Sequence, residues 1–240
     1  MRVKFNKITP LSLSDRVSNA LKDAFFSGEL KPGDPIVERD IAKQMKVGTP
    51  VVREALISLQ GQGFVRRVIN TATYVTKFNE EEISQLYALR IELEVLALQW
   101  ARTRVTEGDI QELTQLVDDI IEAGGKNQRR EFLESDLAFH RRCWELSGND
   151  FLADTLERLM APFFVFGILA NPDRLTGIVA REHYTLVEAL RSLKDPEFTE
   201  AVRRVLTGFA GLRLKTKELE SPQAEPSEAV EVAGMSMTGN

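Results

Sequence analysis

Cysteine is nearly absent from this chain. Cys143 is the single one in 240 residues, so no disulfide within the chain is possible and a reducing compartment fits. Histidine is almost as scarce, with two. No apolar run approaches the ~18 residues of a membrane span. The start, from Met1 to Lys7, lacks the apolar core and small-residue cleavage site of a secretory signal. Together these absences predict a cytoplasmic chain with no membrane partner. No HExxH, GxSxG, P-loop or Rossmann fingerprint occurs, nor a Glu-x-x-His pair of the di-iron bundle kind, so the familiar catalytic motifs are missing. No internal repeat is present, and strand-like alternation is rare outside one short region.

What is present is a charge asymmetry hidden in a net charge of −5. Residues 1–77 carry 13 basic and 7 acidic side chains, and residues 78–240 carry 18 and 29. A basic head on an acidic body suits a nucleic-acid partner for the head alone. In that head, Leu13, Val17, Ala20, Leu21, Ala24 and Phe25 share one face of a helix over about residues 12–27. Ser12 caps it, and Gly28 with the Pro32-Gly33 turn ends it. A second short helix spans about residues 37–46, and Val47-Gly48 turns the chain. Thr49 is the expected N-cap of a third helix, with Pro50 at its first position. Two β-rich runs, 64–68 and 73–77, flank Asn70-Thr71-Ala72.

Helix, tight turn, helix and two-stranded wing is the plan of a winged helix-turn-helix, which puts a helix end into the DNA major groove. The third helix is then the reading helix. Its N-terminal amides favour phosphate, and Thr49, Val51 and Arg53 lie there. Arg53 is the strongest candidate contact, because guanidinium binds phosphate or guanine through two bonds; a salt bridge on a solvated face is the plainer reading. Arg66 and Arg67 add charge at the wing.

Four runs carry a resemblance. FSGELKPGD (Phe26 to Asp34), ERDIA (Glu38 to Ala42), VREAL (Val52 to Leu56) and LQGQGFV (Leu59 to Val65) resemble the GntR family of bacterial transcription regulators. The resemblance implies binding of double-stranded operator DNA and adds Arg39, with Asn70 and Thr71 at the wing tip, to the DNA-facing set. Two departures stand out. Gly48-Thr49-Pro50-Val51 replaces the usual Ser-Arg-Thr-Pro run, and Thr71-Ala72 replaces the basic residue and glycine of the usual wing.

From Glu80 onward the pattern is helical, predicting an antiparallel bundle of six or seven helices over 78–219, with a tail at 220–240 too polar to pack. The fold class is therefore mainly α. Two short helices are expected at about 150–160 and 163–170. Asp136 and His140 stand at i and i+4, a spacing that lets carboxylate and imidazole share a divalent cation or simply bond each other in the interior. His183 follows on a later helix. Trp144 and the run Phe163-Phe164-Val165-Phe166 read as packing, and Cys143 as a small core residue.

RIELE (Arg90 to Glu94), DLAFH (Asp136 to His140), SGN (Ser147 to Asn149) and Glu182-His183 resemble the FadR C-terminal, ligand-sensing domain. The resemblance implies a divalent metal such as Zn²⁺ on Asp136, His140 and His183. A further histidine is expected on the last helix, but Val205 to Phe209 contains none. It also places Arg90 by the effector pocket, to bind a carboxylate or to pair with Glu94; Arg142 and Arg174 are lesser candidates. The expected function is a homodimeric repressor, nucleoid-associated when bound to its operator and modulated by a small organic acid. A metal-dependent helical enzyme with an accessory DNA-binding head is the alternative, with no second base evident beside the metal ligands.

Overall fold

The computed structural model describes residues 12–68, 72–169, 177–192, 194 and 196–218. Asn70, Thr71, Arg174 and the 220–240 tail lie outside the described residues. The head holds α1 (Leu13–Ser27), β1 (Pro35–Ile36), α2 (Glu38–Met45), α3 (Thr49–Gly61), β2 (Val65–Val68) and β3 (Ala72–Val75). Ser12 and Asp15 form a capping box at the start of α1, and Gly28 ends it with a φ of 76°. The turn into α3 uses Lys46 at a φ of 54°, left-handed backbone that a side chain seldom adopts. Gly48, not Thr49, is the N-cap of α3. The reason is local: the amides of Val51 and Val52 bond back to the Gly48 carbonyl at 3.0 and 3.4 Å, starting the helix one residue earlier. Val17, Leu21, Phe25, Val52, Leu56 and Leu59 bury together as the core of the head.

The wing gains a strand that periodicity did not show. The sheet order is β1-β3-β2, all antiparallel, with Pro35 opposite Tyr74 and Val65 opposite Val75. A two-residue strand is too short to display alternation, and Pro35 is tolerated because β1 is an edge.

The bundle consists, among the described residues, of α4 (Glu80–Arg102), α5 (Glu107–Gly125), α6 (Arg129–Leu146), α7 (Asp150–Leu169), α8 (Gly177–Ser192) and α9 (Glu197–Glu218). Asn79 with Glu82 and Thr106 with Asp109 make capping boxes that set the starts of α4 and α5. The two short helices expected around residue 160 are one, α7, with Pro162 in its interior. An interior proline costs about 3 kcal/mol through its missing N–H. Met160, Phe163, Val165 and Phe166 are all buried on either side of it. At about 1.5–3 kcal/mol each, their burial outweighs the break. Among the described residues, no helix is long and apolar enough to cross a membrane.

Head and bundle meet on α7. Phe166 packs edge-on against Phe25 and Phe64, with ring centroids 5.6 and 6.0 Å apart. Gly63, at a φ of 80°, approaches so closely that a Cβ there would stand 3.1 Å from the Arg158 carbonyl and 3.2 Å from Pro162 Cγ. That carbonyl is the one Pro162 cannot bond, so the head docks where the helix is already broken.

Candidate functional site

The bundle interior collects charge. Arg90, Glu94, Asp136, His140 and His183 are all buried, from three helices. Arg90 Nε donates to Glu94 Oε2 at 3.1 Å, one turn along α4. Glu94 Oε1 accepts from Trp144 Nε1 at 3.1 Å and faces His140 Nδ1 at 3.2 Å. Glu94 therefore ties α4 to α6 through two side chains. Burial alone would raise the Glu94 carboxyl; the Arg90 guanidinium, with His140, overcomes it and pulls the pKa to about 2. Burial likewise opposes ionisation of Asp136, but its bond to His183 and the charges nearby hold it below the usual carboxylate value. Burial lowers the His140 pKa and keeps that ring neutral.

Tautomers follow from the partners. Arg90 Nη2, 3.1 Å from His140 Nε2, can only donate. His140 Nε2 is thus a lone pair, and Nδ1–H donates to Glu94. His183 Nδ1 lies 3.1 Å from the Ala180 carbonyl, which can only accept, so Nδ1 carries that proton. His183 Nε2 faces Asp136 Oδ1 at 3.2 Å and His140 Nε2 at 3.3 Å; with a proton on it Nε2 bonds Asp136, and without one it is a third acceptor. Three acceptors converge, and only a positive charge between them, a proton or a metal ion, relieves the repulsion. A tetrahedral ion about 2.0–2.1 Å from each ligand has ligand–ligand edges of roughly 3.4 Å, and the ligand atoms of Asp136, His140 and His183 all lie within 4.8 Å of one another. Both Nδ1 groups are already anchored, as the outer contacts of metal-binding histidines require. The donor set fits a divalent ion.

Aromatic rings wall the centre. Phe164 stacks on His140 at 4.6 Å and under the Arg90 guanidinium at 4.5 Å. From α9 comes Phe209, 5.1 Å from the His183 ring and 5.7 Å from the Arg90 guanidinium. The last helix thus brings a ring, with no donor atom, to the face where a further ligand was expected. Cys143 is buried, which pushes its thiol pKa up and removes it from ligand chemistry at neutral pH.

The DNA-facing candidates form a second, open surface. Arg53 is exposed on α3 and donates from Nε and Nη2 to Glu38 Oε2 at 3.2 and 2.9 Å. Thr49 and Val51 are half-buried, Val51 against the core, while Arg39 and Arg67 are exposed. Arg66 is turned to the bundle, donating to Glu82 Oε1 at 2.8 Å beneath the Phe78 ring. Arg142 does not join the buried centre. It lies two residues past His140, and Glu112 and Glu145 pair with it, as does Asp109.

This two-part plan agrees with known proteins. Residues 13–75 match the family described as bacterial regulatory proteins, gntR family, and residues 85–208 match the FCD domain. The chain belongs to the gntR family regulators that carry an FCD domain. The relatives include the HTH-type transcriptional regulator McbR of Escherichia coli K12, 27% identical over 195 residues, covering 80% of this chain and 87% of McbR. The HTH-type transcriptional repressor NanR of Cronobacter sakazakii is 26% identical over 219 residues, covering 81% and 82%. Among solved structures, E. coli McbR/YncC superposes with a TM-score of 0.72 at 22% identity, covering 87% of this chain and 100% of that one. A gntR regulator from Rhodococcus sp. RHA1 gives 0.69 at 20%, covering 88% and 99%.

For an FCD domain, the residues that motif spacing brings together are Arg90, Asp136, His140 and His183. Sequence reasoning missed Glu94 as the hub and Phe209 as the cap. Glu94 carried a signal, since it stands at i+4 from Arg90; Phe209 carried none, because an apolar residue on an apolar face looks like any other.

Proposed function

We propose that this chain is a metabolite-responsive transcriptional repressor of the FadR type, acting in the cytoplasm as a homodimer on a partly palindromic operator. The observation that carries it is the position of α7: Phe164 packs on His140, and two residues on Phe166 packs on Phe25 and Phe64 of the head. A change at the buried centre thereby bears on the placement of the reading helix, and half-site spacing turns placement into affinity.

Asp136, His140 and His183 would hold a divalent cation such as Zn²⁺, which supplies a Lewis-acidic positive charge. Charge supports an anionic effector. Arg90, Glu94 and Asp136 sum to −1 with both imidazoles neutral, and a divalent cation makes that +1, a surplus that favours a carboxylate. Arg90 Nη2 cannot share the His140 Nε2 lone pair with an ion, so that donor turns to the effector's carboxylate. In the head, Arg39, Thr49 and Arg53, with the wing tip at Asn70 and Thr71, face DNA, and Arg67 adds phosphate contact.

Two measurements test this. Purified protein should carry close to one divalent ion per chain by elemental analysis, and His140→Ala should remove it; an ion-free, folded, DNA-binding preparation would sink the metal centre. Titration onto the chain's own upstream duplex and onto a scrambled duplex should differ by at least about a thousandfold. Equal affinities would end the repressor reading.

A further inference from the structure

The charged centre of the bundle is sealed. Arg90, Glu94, Asp136, His140 and His183 each keep 5% or less of their surface accessible. A cation or a carboxylate can reach them only if one of the surrounding helices moves, and those helices are held unequally. Glu94 bonds Trp144 and faces His140, which locks α4 to α6. On α7, Phe166 packs on Phe25 and Phe64 of the head, and Glu157 pairs with Arg141 of α6. On α8, His183 is bonded within the centre, and Tyr184 donates to Asp118 of α5. Helix α9 is held differently.

Among the described residues, the polar ties of α9 to other helices lie in its first two turns. Thr199 accepts from Gln99 at 2.9 Å, Arg203 Nη2 donates to Glu92 at 2.9 Å, and the Arg102 guanidinium lies 4.9 Å over the Phe198 ring. Phe198, Val202, Val205 and Leu206 bury the same stretch. Then comes Gly208, exposed in the interior of the helix, where a Cβ would meet nothing within 4 Å. Packing does not ask for glycine at this position. Glycine loosens a helix interior, because it gives up more conformational freedom there than alanine does. The next residue is Phe209, whose ring closes the centre 5.1 Å from the His183 ring and 5.7 Å from the Arg90 guanidinium. The weak point of α9 thus stands between its anchored half and the ring that caps the charges.

We propose that Phe209 is the gate of the buried centre: α9 opens at Gly208, the ring withdraws, and a divalent cation or a small carboxylate enters from the α9 side. Opening there breaks the contacts of one ring and the last part of one helix, a local event. Moving α4, α6, α7 or α8 instead would break bonds inside the centre or packing against the head. Withdrawing the ring uncovers the Arg90 guanidinium and the His183 imidazole together, the partner for an anion and one ligand for a cation. What passes the gate rests on the metal and carboxylate reading above; the gate itself rests on Gly208, Phe209 and the seal.

Histidine chemistry tests it, because the two histidines of the chain are both at the centre. Diethyl pyrocarbonate carbethoxylates a neutral imidazole, releasing ethanol and carbon dioxide, and the ultraviolet signal counts the modified rings. On the full, tag-free chain kept metal-free with EDTA, Gly208→Ala should slow the modification about threefold to fivefold. Phe209→Ala should speed it at least about tenfold. Gly125→Ala, at the end of α5 where a Cβ also meets nothing within 4 Å, should leave the rate unchanged. Helical circular dichroism shows that each variant folds. A wild-type rate in Gly208→Ala or Phe209→Ala, or an equal slowing by Gly125→Ala, places the entry elsewhere and overturns the gate. Added Zn²⁺ should protect both histidines. Unprotected histidines together with the Gly208→Ala slowing would remove the metal reading and leave the gate standing.

Discussion

The two ionic sites of this chain are built on opposite terms. At the start of α3, Arg53 pairs with Glu38 in the open, where water screens both and the pair holds loosely. In the bundle, Arg90 and Glu94 pair with under a twentieth of either side chain accessible, and every further contact of Glu94 is to another buried group. The exposed pair can exchange its partner for a phosphate at little cost. The buried pair cannot lose a member without stranding a charge.

The largest effect should come from breaking the buried side. Glu94→Gln leaves Arg90 without its counter-charge and should cost about 3–5 kcal/mol, lowering the melting temperature by roughly 10 °C or more. A melt within about 2 °C of wild type would show that the network contributes little to the bundle. Next, Arg53→Ala should weaken operator binding by about tenfold to a hundredfold. Its melting temperature should stay near wild type, and fluorescence anisotropy on an operator duplex reads the loss. Equal binding would return Arg53 to the status of a solvated salt bridge. The smallest effect belongs to Glu38→Gln, which releases Arg53 and removes a negative charge beside the backbone of DNA. Operator affinity should rise about two- to fivefold, with a steeper salt dependence. A fall would instead make Glu38 the residue that aims Arg53.

Legibility differed between the two regions for the same reason. The head is built from short-range chemistry. Ser12 and Asp15 are three residues apart, Pro32-Gly33 makes its own turn, and Pro50 sits in the first turn of α3. Each is a local rule, so the helix order could be read directly. Errors there were of one residue, as at Gly48, or concerned β1, too short to show a period. In the bundle the local part was equally plain: Asp136 and His140 are one turn apart, and Arg90 and Glu94 likewise. What joins them spans long stretches of chain. Glu94 meets Trp144 across 50 residues, and His140 meets His183 across 43. Pro162 misled because its local cost was visible while the burial that outweighs it was not.

By itself, then, the sequence determined the basic winged head, the helical body, the family resemblance and the one-turn pairs Arg90–Glu94 and Asp136–His140, since each is written in neighbours within a turn or two. Tertiary structure alone decided that Glu94 would be the hub, that Phe209 would close the centre, that Arg66 would face the bundle and that α7 would touch both centre and head. Those outcomes depend on which buried faces come to lie against each other. Packing sums many weak contacts between distant segments, and no single stretch of chain carries that sum.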